Sequence, residues 1–273
     1  MPVTDTGEQA GYVFDNDNAH SGGHHRFLAS AHDPMTIARL AETGVGSGWR
    51  CLEVGAGGGS VAVWLAERVA PTGSVLATDV KPQRIPRRPG LTVVRHDVTS
   101  DPLPESEFDL VVARLVLRHL PQRIEVLGRL VRALKPGGLL QIDEFDTSYE
   151  PPLVTPDERS RQVYEDFIAA KDAVMRAAGV EPAFGRHVAA AMRDAGLVDI
   201  DPRPFIQLRR AGSADLEQLV NHTFHLGDAL VAAGMTDERL AEVRSAMRDP
   251  SFLAASSVMY SVHGTRPLDG AFR

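Results

Sequence analysis

The spacing of hydrophobic and polar positions changes character along this chain. From residue 50 to about 146, short apolar runs alternate with helical periodicity. "RCLEV" (50–54), "SVLATDV" (74–80), "LTVVRHDV" (91–98), "FDLVVAR" (108–114) and "GLLQIDEF" (138–145) read as strands. The fourth is nearly all apolar, the pattern of a strand covered on both faces. "SVAVWLAERVA" (60–70) reads as a helix stopped by Pro71 and Gly73. "PQRIEVLGRLVRAL" (121–134) reads as another, with Pro121 in its first turn and Pro136-Gly137-Gly138 at its end. "KPQRIPRRPG" (81–90) carries three prolines and cannot form a crossover helix, so a short turn or extended loop is predicted there. Alternating strands and helices predict a parallel sheet with helices on both faces.

The flanking regions differ. Residues 1–22, rich in Gly, Asn and Asp, read as a flexible arm, and 33–48 as a helix closed by Gly44 with Ile37, Leu40 and Ala41 on one face. Beyond residue 147, long helical patterns cover 155–179, 184–196, 213–234 and 236–247, with Ser213 and Thr236 as N-caps of the last two. Strands are expected at 197–208 and 256–266. The domain proper is therefore 49–273. Insertions at about 149–180 and 213–250, together with the arm and helix of 1–48, are expected to form a helical lid over the ligand crevice.

Composition narrows the function. The chain is 43% hydrophobic and 24% charged, ordinary for a globular protein. A net charge of -7 argues against a nucleic-acid partner, because such affinity rests on basic surface. The run of Arg84, Arg87 and Arg88 reads as a solvated loop. No apolar stretch approaches the roughly 20 residues needed to span a bilayer. The N-terminus lacks an apolar signal core, so no membrane partner and a cytoplasmic location are expected. The single cysteine, Cys51, opens a buried strand and reads as core packing.

The chemistry centres on "CLEVGAGGGS" (51–60). Gly55 and Gly57 allow a tight turn and close backbone approach to a ligand, ahead of a helix N-terminus. No lysine follows, which removes the phosphate-loop reading. The glycines nearly fit a dinucleotide fingerprint, with Asp79 about 20 residues downstream, and on their own do not exclude it.

The wider pattern resembles the class I S-adenosylmethionine-dependent methyltransferases of the small-molecule, UbiE-like type. "LEVGAGGGS", Asp79 ending "VLATD", "HDVTSDPLPESEFDLVVAR" and "RALKPGGLLQIDEF" are similar to four of their motifs in the right order. The resemblance implies an α/β, Rossmann-like fold: a seven-stranded, mostly parallel sheet in the order 3-2-1-4-5-7-6, with strand 7 antiparallel. It implies S-adenosylmethionine as cofactor. Glu53, Gly55 and Gly57 would line its methionine part and Asp79 its ribose hydroxyls. Val80 would pack on the adenine face, Asp97 and the Val98 amide would meet the adenine edge, and Arg114 would sit beside the methionine part. The segment after strand four and the end of strand five face the transferred methyl in this family, which makes His119 and Glu144 candidate bases. His222 and His225, about one helical turn apart, are candidates to line an acceptor pocket.

The family comparison also implies absences. Arg114 stands where metal-dependent catechol enzymes carry a carboxylate, so no magnesium is expected. His20, His24 and His25 have metal-like spacing without a supporting cysteine. Tyr12 and Arg26 are candidates to close over the cofactor from an ordered arm. The implied acceptor is a small organic molecule methylated on oxygen or nitrogen, plausible as a secondary metabolite, by a monomer or homodimer. The alternatives are a same-fold enzyme that uses the bound cofactor for cyclisation or rearrangement without transferring its methyl, and a non-catalytic binding module.

Overall fold

The structure, a computed structural model, describes residues 20–268; Tyr12 and nearly all of the expected arm lie outside them. The chain opens with α1 (Ser21–Glu42) and then alternates: β1 (Arg50–Val54), α2 (Ser60–Val69), β2 (Ser74–Asp79), β3 (Leu91–Arg95), β4 (Phe108–Arg114), α3 (Arg123–Ala133) and β5 (Leu134–Asp146). A short strand, β6 (Pro152–Val154), leads into α4 (Glu158–Ala177) and α5 (Phe184–Asp194). Strands β7 (Val198–Phe205) and β8 (Leu208–Arg210) follow, then α6 (Ala214–His225), α7 (Gly227–Ala232) and α8 (Asp237–Arg248). The described chain closes with β9 (Leu253–Ala255) and β10 (Val258–Thr265).

Seven strands form one sheet in the order β3-β2-β1-β4-β5-β10-β7. Pairing is parallel from β3 to β5, and β10 runs antiparallel to both neighbours. With β7 and β10 counted as the sixth and seventh strands of this sheet, the order is the 3-2-1-4-5-7-6 implied by the sequence motifs. The apolar run of β4 has a direct cause. Leu110 and Val112 enter the core under α2, while Val111 and Ala113 enter the opposite core with Leu127 of α3 and Val188 of α5. Cys51 lies in the α2-side core, where burial pushes its thiol up to about 12, a packing role.

Several expectations are corrected. The first helix starts at Ser21, not near residue 33, and passes through Pro34. Its buried face carries His24, His32, Thr36 and Arg39, and Ala41 is exposed, so apolar periodicity could not reveal it. The Pro-Gly-Gly stretch lies within β5 as a bulge rather than ending a helix, since pairing jumps from Phe108↔Leu134 to Leu110↔Leu139. The expected single strand at 197–208 divides: β7 stays in the large sheet, whereas β8 joins a separate sheet β6-β9-β8. The expected helix at 213–234 breaks between α6 and α7 at Leu226-Gly227. The proline-rich 81–90 segment contains only a 3-10 turn at Pro82–Arg84, as anticipated.

Helices α4, α6, α7 and α8 share their own apolar core, built around Tyr164, Phe167, Leu216, Leu219, Val243 and Phe252. Thr236 caps α8 by accepting the Arg239 N–H (3.2 Å). Ser213 occupies the cap position of α6, but its hydroxyl accepts the Arg210 N–H (3.2 Å) instead. Among the described residues, no helix is long and apolar enough to cross a membrane.

Candidate active site

A cavity of about 910 Å³ opens at the carboxyl ends of β1, β2 and β4. This is where a parallel α/β sheet leaves a crevice for ligands. Gly55 begins the turn into α2 with φ +66°, and a Cβ there would stand 2.4 Å from Val116 Cγ2. Only glycine fits that approach without movement. Gly57 N–H donates to Asp79 Oδ2 (2.9 Å) and Lys81 N–H donates to Oδ1 (2.8 Å). Asp79 thus joins the glycine turn to the exit of β2, and each oxygen can still accept a second bond. Val80 beside it lines the cavity and is 46% exposed. Asp97 and Val98 lie beyond the end of β3 and also line the cavity. Asp97 Oδ1 accepts the Thr99 N–H (2.9 Å) and hydroxyl (2.7 Å), so this residue shapes a turn as well as the wall.

Glu53 is buried in the wall. Its Oε2 meets no hydrogen-bond partner among the described residues, and burial raises its pKa to about 8 against the pull of Arg114. Arg114, at the end of β4, donates to Asp33 Oδ1 (2.7 Å) and to the Thr36 hydroxyl (3.3 Å). Asp33 also accepts the Ser60 hydroxyl (3.1 Å) at the start of α2. One carboxylate therefore ties α1, α2 and β4 around the site. The sequence offered no signal for it beyond an Asp-Pro pair.

After Arg114 the chain passes through Leu115 at φ +56°, a left-handed conformation uncommon for a branched side chain. A 3-10 turn at Leu117–His119 follows and places Arg118 and His119 in the cavity wall. Glu144 Oε1 accepts the N–H groups of Val116 (3.0 Å) and Arg118 (3.2 Å). Its Oε1 thus serves the backbone of this turn, its buried Oε2 meets no hydrogen-bond partner among the described residues, and Glu144 does not line the cavity. Burial raises its pKa to about 7, opposed by Arg118 and the amides of the turn. His119 is held neutral. Burial, then Arg118, His24 and Arg123, depress its pKa well below the usual histidine range.

The facing wall comes from helices. Asp215, Gln218, Leu219 and His222 form one face of α6, and Lys171 and Met175 project from α4. His24, His25 and Arg26 of α1 complete it. His222 Nε2 lies 3.3 Å from His24 Nδ1. Burial holds both neutral, His24 at about 3. His225 is buried beside them, its ring 6.1 Å from that of His24, but does not line the cavity. The His20 ring stacks on Phe224.

The sequence of the cofactor-side half matches a known family. Residues 52–142 fit the methyltransferase domain family. They contain the glycine turn, Asp79, Asp97 and Arg114, all on one cavity wall. Over these residues the chain matches a methyltransferase domain.

The chain is 36% identical over 112 residues to "Methyltransferase str3" of Strobilurus tenacellus, covering 40% of this chain and 39% of that protein. It is 30% identical over 139 residues to the ubiquinone/menaquinone biosynthesis C-methyltransferase UbiE of Cupriavidus taiwanensis, covering 48% of this chain and 54% of that one. The chain thus spans about four-tenths to half the length of these curated relatives. In fold it is similar to a Haemonchus contortus phosphoethanolamine N-methyltransferase 2, solved with phosphomonomethylethanolamine and S-adenosylhomocysteine. That comparison has a TM-score of 0.56 at 15% identity and covers 90% of this chain and 57% of the other. The family match ends at residue 142, so α4 and α6, which form the far wall of the cavity, lie outside it.

Proposed function

We propose that this protein transfers a methyl group from S-adenosylmethionine to an oxygen or nitrogen of a small organic acceptor enclosed between the sheet and the helical cap. One observation carries the reading. A single cavity runs from the glycine turn, Asp79 and Asp97 to Lys171, Gln218 and His222 of the cap, giving donor and acceptor walls that face one space.

The donor wall suits the cofactor. The buried Glu53 Oε2, lacking a partner among the described residues, fits an amino group. Asp79 offers two acceptor oxygens for a ribose diol, and Val80 presents an apolar surface for a purine face. Asp97, with Oδ1 taken by Thr99, is placed to accept from an exocyclic amine through its other oxygen. When bound, S-adenosylmethionine supplies a methyl group on a sulfonium, which an acceptor lone pair displaces in line; such a step depends mainly on orientation. The cap holds the acceptor and excludes water. His119, neutral and in the wall after β4, is the residue that would take the proton of an acceptor that binds protonated. The position of Glu144 against the backbone makes it the residue that orients His119.

The test is calorimetry with S-adenosylhomocysteine, alongside turnover with S-adenosylmethionine over a panel of hydroxylated and amino compounds. Binding that Asp79→Ala weakens about a hundredfold, with S-adenosylhomocysteine released only when acceptor is present, is the expected result. Wild-type affinity in Asp79→Ala overturns the ribose assignment. Turnover that consumes acceptor without releasing S-adenosylhomocysteine overturns methyl transfer.

A further inference from the structure

The acceptor wall contains an ion cluster that the family match does not reach. Glu150, Lys171, Arg209 and Asp215 are all buried. Arg209 Nε and Nη2 donate to Asp215 Oδ2 (2.7 Å) and Oδ1 (3.4 Å), and its Nη1 donates to Glu150 Oε2 (2.7 Å). Lys171 Nζ donates to both oxygens of Glu150 at 3.2 Å. Arg209 therefore meets two carboxylates, Asp215 and Glu150, while Lys171 has only a share of Glu150. Burial would raise the pKa of Glu150, but Lys171 and Arg209 outweigh it and hold the group near 2, so the cluster keeps its charges.

Lys171 lines the cavity. An ammonium has three N–H donors, and Glu150 is its hydrogen-bond partner among the described residues. Burial, and more weakly Arg209, push the Lys171 pKa down against Glu150, so a further negative charge beside it would be stabilising. Its neighbours in the wall do not supply that charge. Asp215 is committed to Arg209, and Asp172 accepts from Arg176 Nε (2.8 Å). His222 stays neutral through burial, His24 and Lys171 itself. Gln218, also in the wall, has a side-chain amide with no hydrogen bond to a described residue and adds a donor. Met175, Leu219 and Val180 provide apolar surface around this polar spot.

We propose that Lys171, fixed by Glu150 and assisted by Gln218, is a specificity-determining residue that holds an anionic oxygen of the methyl acceptor. The acceptor class is then a compact, largely apolar molecule bearing a phenolate, enolate or carboxylate. This rests on the methyltransferase reading above and names the acceptor class for the same cavity.

The test uses the full chain loaded with S-adenosylhomocysteine, whose binding is first measured by calorimetry. 4-Nitrophenol is then titrated below its free ionisation pH, and its visible phenolate band is followed. Benzoate and benzylamine are matched probes of opposite charge. The expected result is saturable growth of the phenolate band, or binding of benzoate, with benzylamine not binding. Lys171→Met lowers that affinity about tenfold and leaves S-adenosylhomocysteine affinity unchanged, while Lys171→Arg keeps most of it. A phenolate band assigns a phenol or enol source, and benzoate binding alone assigns a carboxylate source. If benzylamine binds as well as benzoate, or if neither acidic probe binds the wild-type complex, the proposal is overturned without needing any variant to fold. No binding of S-adenosylhomocysteine overturns the methyltransferase reading and this inference with it. Normal cofactor binding without acidic-probe binding overturns only the role of Lys171.

Discussion

Replacing Gly55 by alanine tests how tightly the donor loop is built against the segment that presents His119. Two costs can be separated. The φ of +66° is left-handed, which costs an L-residue roughly 1–2 kcal/mol. The new Cβ would also lie 2.4 Å from Val116 Cγ2. Relieving such overlap by moving packed groups costs about 1–3 kcal/mol. Gly55→Ala should therefore lose about 2–5 kcal/mol of stability. Val116→Ala alone should cost about 1 kcal/mol, since it removes two half-buried methyl groups. In the double variant the overlap disappears and the backbone cost stays. The double variant should then be more stable than the sum of the singles by about 1–3 kcal/mol. Urea unfolding of the four proteins measures this directly, with equal slopes confirming that only stability has changed. S-adenosylhomocysteine calorimetry on the same proteins should show partial recovery of affinity in the double variant. Strictly additive losses would refute the contact between the glycine turn and the segment after β4.

Three further outcomes are expected. Glu144→Ala should cost about 2–4 kcal/mol in thermal or urea unfolding, because the Val116 and Arg118 amides lose their buried acceptor. Glu144→Gln should retain most of that stability through its amide oxygen, and equal losses would reject the positioning role. His119→Ala should lower turnover about a hundredfold on an acceptor that binds protonated, with unchanged S-adenosylhomocysteine affinity, and an unaffected turnover number removes it as base. The pH dependence of stability follows from the depressed histidines: His24 at about 3, His32 and His263 at about 4, and His119 and His222 lower than usual. The unfolded chain protonates these near 6.5, so below that pH it binds more protons than the folded chain and stability falls. Raised carboxyls act oppositely: Glu144 at about 7 and Glu53 at about 8 contribute stability when protonated and lose it as pH rises through those values. Asp143, also raised, works in the same direction as Glu53 and Glu144. Because the histidines are more numerous, the unfolding midpoint should peak near pH 7 and drop towards pH 5, by about 1.4 kcal/mol per pH unit for each excess proton. A midpoint that rises on acidification to pH 5 would contradict the neutral buried histidines.

The legible part of this molecule is the part whose function constrains the backbone. A glycine turn, an acid at the end of β2 and an apolar β4 are written in local patterns, and the sheet order followed from the family they resemble. Asp79, Val80, Asp97, Val98 and Arg114 all reach the cavity as anticipated. The misread parts have specific causes. The buried side of α1 is polar, because His24, His32, Thr36 and Arg39 make hydrogen bonds, ring contacts or ion pairs inside the fold, so its first half carries no amphipathic signal. Lys171 sits in a helix rich in charged residues, the others exposed or half-buried, and only tertiary packing distinguishes it from those. The small sheet joins strands of three residues from distant parts of the chain, too short for alternation to show.

The separate apolar core and ion cluster of the cap have an evolutionary consequence. Lys171, Arg209 and Asp215 are anchored to Glu150 and to one another, not to the strands that carry the donor site. With Lys171 in the acceptor role proposed above, substitutions there alter which molecule is accepted while leaving the glycine turn and Asp79 untouched. Selectivity and donor recognition can therefore drift at different rates in one polypeptide.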